Sequence, residues 1–391
     1  MHIHLQRKID KYLGYLLIIC LVPVTRLLGI LLRRNHTLSP SPKNILFIKL
    51  LGLGSLVAAL DSIRNIKQQY PGARLILLTE SNIADGIAPF GLFDELWTIR
   101  NGSFLTIATD ALQYLMRSWK LRDLWIADLE VYSKLTTVYA LLTFAINRFG
   151  FYLSPVFFRK YLNTHNIFFN QQTFLEDNYF AMAVSLTGES CKPISTNYIR
   201  PKNEYNLPFI ALNNMCSDLA VVRKLPNDSF ADICSWVLEH TPYSVALLGA
   251  PSDRMSLNDF IEEHSSLRDR KEKIVNYAGK TDFASYCRFL SEECACVVSI
   301  DSAPLHIAKK LGIPTVSVWG PTNPGNYLKI HPYEQERHLV YYQQVHCSPC
   351  IHHFEELPCK GDNFCMKDIE VYHITEMIAE LLKTIRAHPQ A

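Results

Sequence analysis

Chemistry-bearing residues crowd into one stretch, VVSIDSAPLHIAKKLGIPTVSVWGPTNPG at 297–325. A buried-type apolar run ends at Ile300 and delivers Asp301, Ser302 and Ala303 to the end of a strand, and His306 follows one turn into the next helix. A second run ends at Trp319 and opens into Gly320, Pro321, Thr322, Asn323 and Pro324. Carboxyl ends of adjacent parallel strands are where doubly wound sheets bind ligands. Asp301-Ser302 serving only as a helix cap would require neither His306 nor the glycine-proline loop opposite. The stretch therefore reads as a ligand site.

Gly52-Leu53-Gly54-Ser55 is a second glycine turn, placed where a first strand meets a first helix. Glycine lets the backbone turn sharply and lets a substrate approach a helix start, whose unpaired N–H groups attract anions. Position 57 is Val and no Walker lysine follows, so neither a G-x-G-x-x-G fingerprint nor a P-loop is present. A purely structural turn and a substrate loop both remain open here. In the tail, Cys347, Cys350, Cys359 and Cys365 are interleaved with His346, His352 and His353. This pattern is compatible with a structural Zn²⁺ held by thiolates, with disulfides or reduced packing cysteines, or with a redox role.

The elements that must position these residues follow from apolar patterning. NILFIKL (44–50) reads as a strand buried on both faces, then the glycine turn, a helix over 56–70 closed by Pro71-Gly72, and a strand over 73–80. That is the opening of a parallel doubly wound sheet. Strand-like runs recur at 124–129, 209–212, 243–248, 296–300 and 314–319. A polar segment at 200–208 marks a boundary, so the expectation is an N-terminal Rossmann-like domain over 44–204 and a C-terminal one over 205–391, with a cleft between them. The aromatic-rich stretch 131–180 reads as core and domain packing, with an apolar acceptor wall as the sharper alternative.

Composition excludes other classes. With 391 residues, 48% of them apolar and 19% charged, the chain is neither disordered nor low-complexity. Thirty-nine basic against 37 acidic side chains give +2, too little for a nucleic-acid partner. Eleven scattered cysteines point to a reducing compartment. Residues 13–32 (LGYLLIICLVPVTRLLGILL) are apolar apart from Arg26, and Arg7, Lys8, Lys11, Arg33 and Arg34 flank them. The run is just long enough for a bilayer core of about 30 Å, but Arg26 and Pro23 disfavour a clean span. An interfacial helix or helical hairpin contacting a membrane through residues 7–34 suits the basic flanks. A buried helix of the globular fold and a cleaved signal are the other readings. Residues 35–43 form a polar linker.

The motif pair IKLLGLGSLVAAL and VVSIDSAPLHIAKKLGIPTVSVWGPTNP resembles glycosyltransferase family 9, the ADP-heptose:lipopolysaccharide heptosyltransferases, with further likeness in DLWIADLEVYSKL, the RKLP of 223–226 and CMKDI at 365–369. The resemblance runs from about residue 44 to 380. It implies a GT-B architecture, acceptor on the N-terminal domain, sugar nucleotide on the C-terminal one, and metal-free inverting displacement at the anomeric carbon. It implies a donor site of Asn213, Asn214, Arg223, Asp253, Thr281, Asp301, Ser302, Ala303, His306, Gly320, Pro321 and Thr322. Arg223 would balance charge on the leaving diphosphate, although Leu225 replaces the tryptophan usual in that turn. Gly52, Leu53, Gly54 and Ser55 would form the acceptor-side loop. Many members carry Asp where this chain has Ser55, and there it is regarded as the general base. A serine cannot accept the proton unaided, which turns attention to Asp128 and Glu130 at the end of the strand DLWIADLE, unless these form only a polar strand end. The expected function is transfer of a heptose-like sugar to a lipopolysaccharide-type glycolipid, at the cytoplasmic face of the inner membrane. The competing reading is a non-catalytic sugar-nucleotide or glycan-binding scaffold of the same fold.

Overall fold

A computed structural model describes residues 8–188, 207–216, 218–351, 353–354 and 356–387. Arg7, His352 and the expected boundary at 204/205 lie outside these residues. The chain divides into two compact units, Met1–Thr196 and Asn197–Ala391.

In the first unit, strands β1 (Asn44–Ile48), β2 (Arg74–Glu80), β3 (Glu95–Ile99), β4 (Leu124–Asp128), β5 (Asn147–Tyr152) and β6 (His165–Phe168) form one parallel sheet. Their order is β3-β2-β1-β4-β5-β6, the doubly wound order whose switch point lies between β1 and β4. The β1 and β4 runs are apolar and almost wholly buried, because crossover helices cover both faces of such a sheet. The intervening helices are α2 (Leu53–Gln69), α3 (Ser81–Ile87), α4 (Phe104–Ser118), α5 (Lys134–Leu142) and α6 (Leu175–Thr187). A 3₁₀ segment, Ser154–Tyr161, links β5 to β6.

The second unit repeats the design. Strands β7 (Phe209–Asn213), β8 (Ser244–Leu247), β9 (Ile274–Asn276), β10 (Cys294–Ile300), β11 (Thr315–Trp319) and β12 (His338–Tyr342) are parallel, in the order β12-β11-β10-β7-β8-β9. Its switch point lies between β7 and β10. Helices α7 (Asn227–His240), α8 (Arg254–Glu263), α9 (Phe283–Glu293), α10 (Ala303–Lys310) and α11 (Val371–Ala387) flank the sheet. Cys234, Cys296 and the apolar side of α11 all lie in this unit's core.

Every strand expected from an apolar run is present, and α2 starts three residues earlier than the sequence indicated. Of the strands that patterning missed, β3, β6, β9 and β12 are outer strands with mixed polarity or as few as three residues, and β5 (NRFGFY) is an inner strand broken by Asn147, Arg148 and Gly150. Helix α1 runs from Asp10 to Leu32 with a wide first turn, continues through Pro23, and is long and apolar enough to cross a membrane by length and composition. It is one helix, not a hairpin. Ile18 packs with Val138 of α5 and with Leu162, while most other large side chains of α1 are exposed. The Asp10 carboxylate accepts hydrogen bonds from Ser133 Oγ (2.7 Å) and from the Lys134 and Leu135 amides (both 2.9 Å). A carboxylate at a helix start meets otherwise unpaired N–H groups and the favourable end of the helix dipole. Asp10→Ala should therefore cost about 1 kcal/mol, lowering the melting temperature by about 2–4 °C in a thermal unfolding scan. An unchanged melting temperature would show that this cap does not hold α1 to the fold.

Candidate functional site

At the switch point of the second unit, register fixes what can meet. Ser299 of β10 lies opposite Asn213 of β7, so the residues that follow each strand emerge side by side. Asp301 is the centre of the cluster. Its Oδ2 lies 3.3 Å from Arg223 Nε and accepts a 2.7 Å hydrogen bond from Thr322 Oγ1, and its Oδ1 lies 3.4 Å from His306 Nε2. Arg223 Nη1 also donates to the Asp301 carbonyl at 3.3 Å. Burial alone would raise the Asp301 pKa, but the Arg223 charge and the His306 and Thr322 contacts outweigh it and hold the carboxyl well below the usual range. The aspartate is thus ionised, and it aims one guanidinium and one imidazole at the start of α10. Ala303 opens that helix, whose N-cap Ser302 contributes no side-chain cap.

The other residues expected on the donor side divide by role. Asn213 Nδ2 donates to Ser302 Oγ (2.7 Å) and Ser299 Oγ (3.1 Å), tying the two strand ends together. Asn214 accepts from the Leu225 amide (2.9 Å) and donates to its carbonyl (3.0 Å), which fixes the loop carrying Arg223. Both asparagines are buried, so their side chains are spent on this loop. Here these side chains position the loop that the resemblance associates with phosphate contact. Asp253 accepts from the Ala250 amide at 2.8 Å and is half-buried after β8, while Thr281 is exposed and bonded to Tyr277.

The tail supports the opposite loop. A side chain at Gly320 would meet Met366 Sδ at 2.7 Å and the Cys365 carbonyl at 2.9 Å, and the Pro321 carbonyl accepts from the Cys350 and Ile351 amides. Cys350 and Cys365 are buried, and burial pushes the Cys365 thiol up to about 12. The same raised values show Cys347, Cys350, Cys359 and Cys365 to be neighbours. Among the described residues, however, no group of three or more Cys, His, Asp or Glu side chains is arranged to hold a metal ion, and the described cysteines are all free thiols. The disulfide reading of the tail is therefore corrected to reduced cysteines, two of which, Cys350 and Cys365, pack beneath the Gly320–Thr322 loop.

The switch point of the first unit is built on two carboxylates. Ile48 pairs with Asp128 in register, so Lys49 emerges beside Glu130. Glu130 accepts from Lys49 Nζ (3.1 Å) and from the Leu50 (2.7 Å) and Leu51 (2.9 Å) amides, setting the turn that leads into Gly52. Burial would lower the Lys49 pKa, but the Glu130 charge overrides it and holds the ammonium above its ordinary value. Gly52 has φ +84°, and a Cβ there would lie 2.9 Å from Ser55 Oγ, so the turn requires glycine. Ser55 donates to the Gly52 carbonyl at 2.8 Å and also bonds the buried Tyr179 hydroxyl. Leu53 and Gly54 form the first turn of α2.

Asp128 is sealed from solvent. It accepts from Arg159 Nη2 (2.6 Å), Thr136 Oγ1 (2.8 Å) and the Glu130 amide (3.1 Å). Burial pushes its carboxyl up to about 6 against the pull of Arg159. Arg159, itself fully buried, also donates to Thr137 Oγ1 and to the carbonyls of Glu130 and Val131. A carboxylate enclosed this way cannot reach an acceptor hydroxyl, so Asp128 as general base is corrected to a structural partner of Arg159. Sequence reasoning missed Arg159, Tyr179 and Lys49. The first two carry no motif, and Lys49 stood in plain view beside the glycine turn. Asp128→Asn should leave the Arg159 charge buried and uncompensated, costing about 3–5 kcal/mol in denaturant unfolding. A loss below about 1 kcal/mol would place the pair in a solvated setting.

Comparison with known proteins bears on the family and the fold. Residues 178–360 match the family model of glycosyltransferase family 9 (heptosyltransferase). A lipooligosaccharide heptosyltransferase 2 of Campylobacter jejuni is 25% identical over 141 residues, which is 36% of this chain and 41% of that protein. The chain thus spans about two fifths of the length of the curated relatives it matches. Among solved structures, the E. coli ADP-heptose lps heptosyltransferase II superposes with a TM-score of 0.64 at 15% identity, covering 87% of this chain and 99% of that one. The E. coli heptosyltransferase WaaC with ADP gives 0.62 at 14%, covering 86% and 99%. At such identities the superpositions establish the fold, two Rossmann-like units of GT-B type. Over residues 178–360 this chain is thus similar to glycosyltransferase family 9 (heptosyltransferase), and it has the fold that those heptosyltransferases share.

Proposed function

We propose that this chain is an inverting glycosyltransferase that moves a heptose from ADP-heptose to a lipopolysaccharide-type glycolipid. The observation that carries the reading is the ionised Asp301 holding Arg223 and His306 at the start of α10, beside the Gly320–Thr322 loop. A diphosphate needs donors and cations in a preformed, partly desolvated setting, and this cluster supplies both. Support for the sugar nucleotide comes from solved proteins of the same fold, crystallised with ADP, with an ADP-2-deoxy-2-fluoro heptose and with an ADP-heptose.

In the reaction the acceptor hydroxyl oxygen attacks the anomeric carbon while the bond from that carbon to the diphosphate oxygen breaks. Negative charge grows on the departing ADP, where Arg223, His306 and the first amides of α10 meet it. Asp253 and Thr281 belong to the nucleotide end, and Gly52–Ser55 to the acceptor end. The hydroxyl proton goes to Glu130, the carboxylate of that edge that keeps some exposure, at 8%. General-base assistance of this kind is worth about 10²–10⁴-fold. Arg223, His306 and the α10 amides carry the charge balance in this route, and no step is assigned to a metal. Helix α1 places the protein at the cytoplasmic face of the inner membrane, where a lipid-linked acceptor is presented.

One observation favours a second reading, a non-catalytic binding scaffold. Ser55 replaces a carboxylate, and Glu130 already has three partners. ADP release from ADP-heptose in the presence of acceptor lipid separates the two, since binding without turnover would favour the scaffold.

Two sets of variants test the roles. Arg223→Ala should lower kcat by about 100-fold or more with a much smaller change in donor Kd, because the charge it meets grows towards the transition state. His306→Ala should weaken both, and wild-type kinetics in the pair would refute this placement of the diphosphate. Glu130→Gln keeps an oxygen for the two amides and removes the charge. It should cut kcat by about 100-fold with donor Kd unchanged, and Ser55→Asp should partly restore that variant. Wild-type turnover by Glu130→Gln would put the base elsewhere.

A further inference from the structure

Helix α4 lies against the β-sheet of the first unit through Ile107, Ala111 and Tyr114, in the same core layer as Tyr139 and Ala140 of α5. Its opposite side is apolar too. Leu105, Leu112, Met116 and the adjoining Trp119 are spaced at helical intervals and are each 46–73% exposed. An ordinary solvated helix places polar residues there.

This stripe does not end at α4. Trp119 donates its indole N–H to the Leu142 carbonyl at 2.8 Å, and its ring lies 6.1 Å from that of Phe144. Phe144 is 62% exposed and sits at φ +57° just past the end of α5, a position that favours glycine. A bulky residue in left-handed backbone is strained, so the exposed ring is held there at a cost to the fold. Arg34 of the segment after α1 reaches the Phe144 carbonyl at 3.4 Å. Since α5 packs on α4 through one side and on α1 through Val138 and Leu141, the exposed face of α1 and the stripe of α4 flank the same helix.

The rim is basic. Arg33, Arg34, Lys120 and Arg122 are exposed around the Trp119–Phe144 corner. The neighbouring acids are already engaged, Asp123 with Lys43 at 2.7 Å and Glu95 with Arg117. A second copy docking isologously would bring these cations against their own equivalents. An anionic lipid surface accepts both the rim and the apolar stripe, with a tryptophan at the boundary.

We propose that this corner, Leu105, Leu112, Met116, Trp119 and Phe144, is a second lipid-contacting surface that seats the first unit on an anionic membrane independently of insertion by α1. The proposal does not depend on the transferase reading, and its test involves no substrate. The full-length protein is mixed with phosphatidylglycerol-containing vesicles and with pure phosphatidylcholine vesicles, and the bound fraction is measured by sedimentation. Wild type should partition preferentially to the anionic vesicles. With α1 intact, Phe144→Gly and Leu112→Glu should each lower that partitioning by about tenfold, and Lys120→Glu with Arg122→Glu should remove the preference for anionic lipid. Phe144→Gly is the decisive variant, because glycine relieves the left-handed backbone and should keep or raise the melting temperature. Unchanged partitioning by Phe144→Gly and Leu112→Glu would overturn the proposal. So would a wild-type dimer that these variants split while vesicle binding stays the same.

Discussion

A buried carboxylate must have a cation, and that requirement organises both switch points of this molecule. At the end of β10 the partner of Asp301 is Arg223, delivered from the loop after β7. At the end of β4 the partner of Asp128 is Arg159, delivered from the 3₁₀ segment between β5 and β6. Ion pairs in such settings gain little net stability over apolar replacements, but they are costly to break singly. Their value lies in geometry, since each pair fixes where a loop can go.

The two units use this device for different ends. In the first, Arg159 is fully buried and makes four hydrogen bonds to the fold, with two carbonyls, a threonine and Asp128 as partners. Glu130 and Lys49 then shape the glycine turn one layer further out. In the second, Arg223 and His306 are gathered by one aspartate at the rim of the sheet, with side chains 17% and 12% exposed. The guanidinium and the imidazole are oriented but not sealed, which is the arrangement expected of groups that must also meet an anion. Asn213, Asn214 and the cysteine-bearing tail act behind them, holding the two loops in place.

Much of this was legible in the sequence, for identifiable reasons. The central strands β1, β4, β7, β10 and β11 are short apolar runs ended by glycine, acidic or asparagine residues, so both the sheets and the site-bearing strand ends could be read directly. The outer strands β3, β6, β9 and β12 face solvent in part, which blurs their pattern. The Asp301–His306 and Gly320–Thr322 pairing was visible because both follow strands. Whether a polar residue serves a ligand or the fold was not visible. Asp128 and Glu130 look equivalent two residues apart, where strand alternation would put both on one face. But β4 ends at Asp128, which is held by Arg159, and the turn that follows leaves Glu130 at the rim. Arg159 lies within an aromatic stretch, SPVFFRKY, and only the folded chain shows that its side chain reaches β4. The tail cysteines illustrate the same limit: spacing left metal, disulfide, packing and redox readings open, and only the folded chain shows Cys350 and Cys365 buried under the Gly320–Thr322 loop.

The central claim is that Asp301 poises Arg223 and His306 for a sugar-nucleotide diphosphate. A crystal structure of the full-length protein with ADP-heptose tests it most directly. The account predicts diphosphate oxygens within hydrogen-bonding distance of the Arg223 guanidinium and the His306 imidazole at the start of α10, with Thr322 still bonded to Asp301. A diphosphate bound elsewhere, with the Arg223–Asp301 pair untouched, would contradict it.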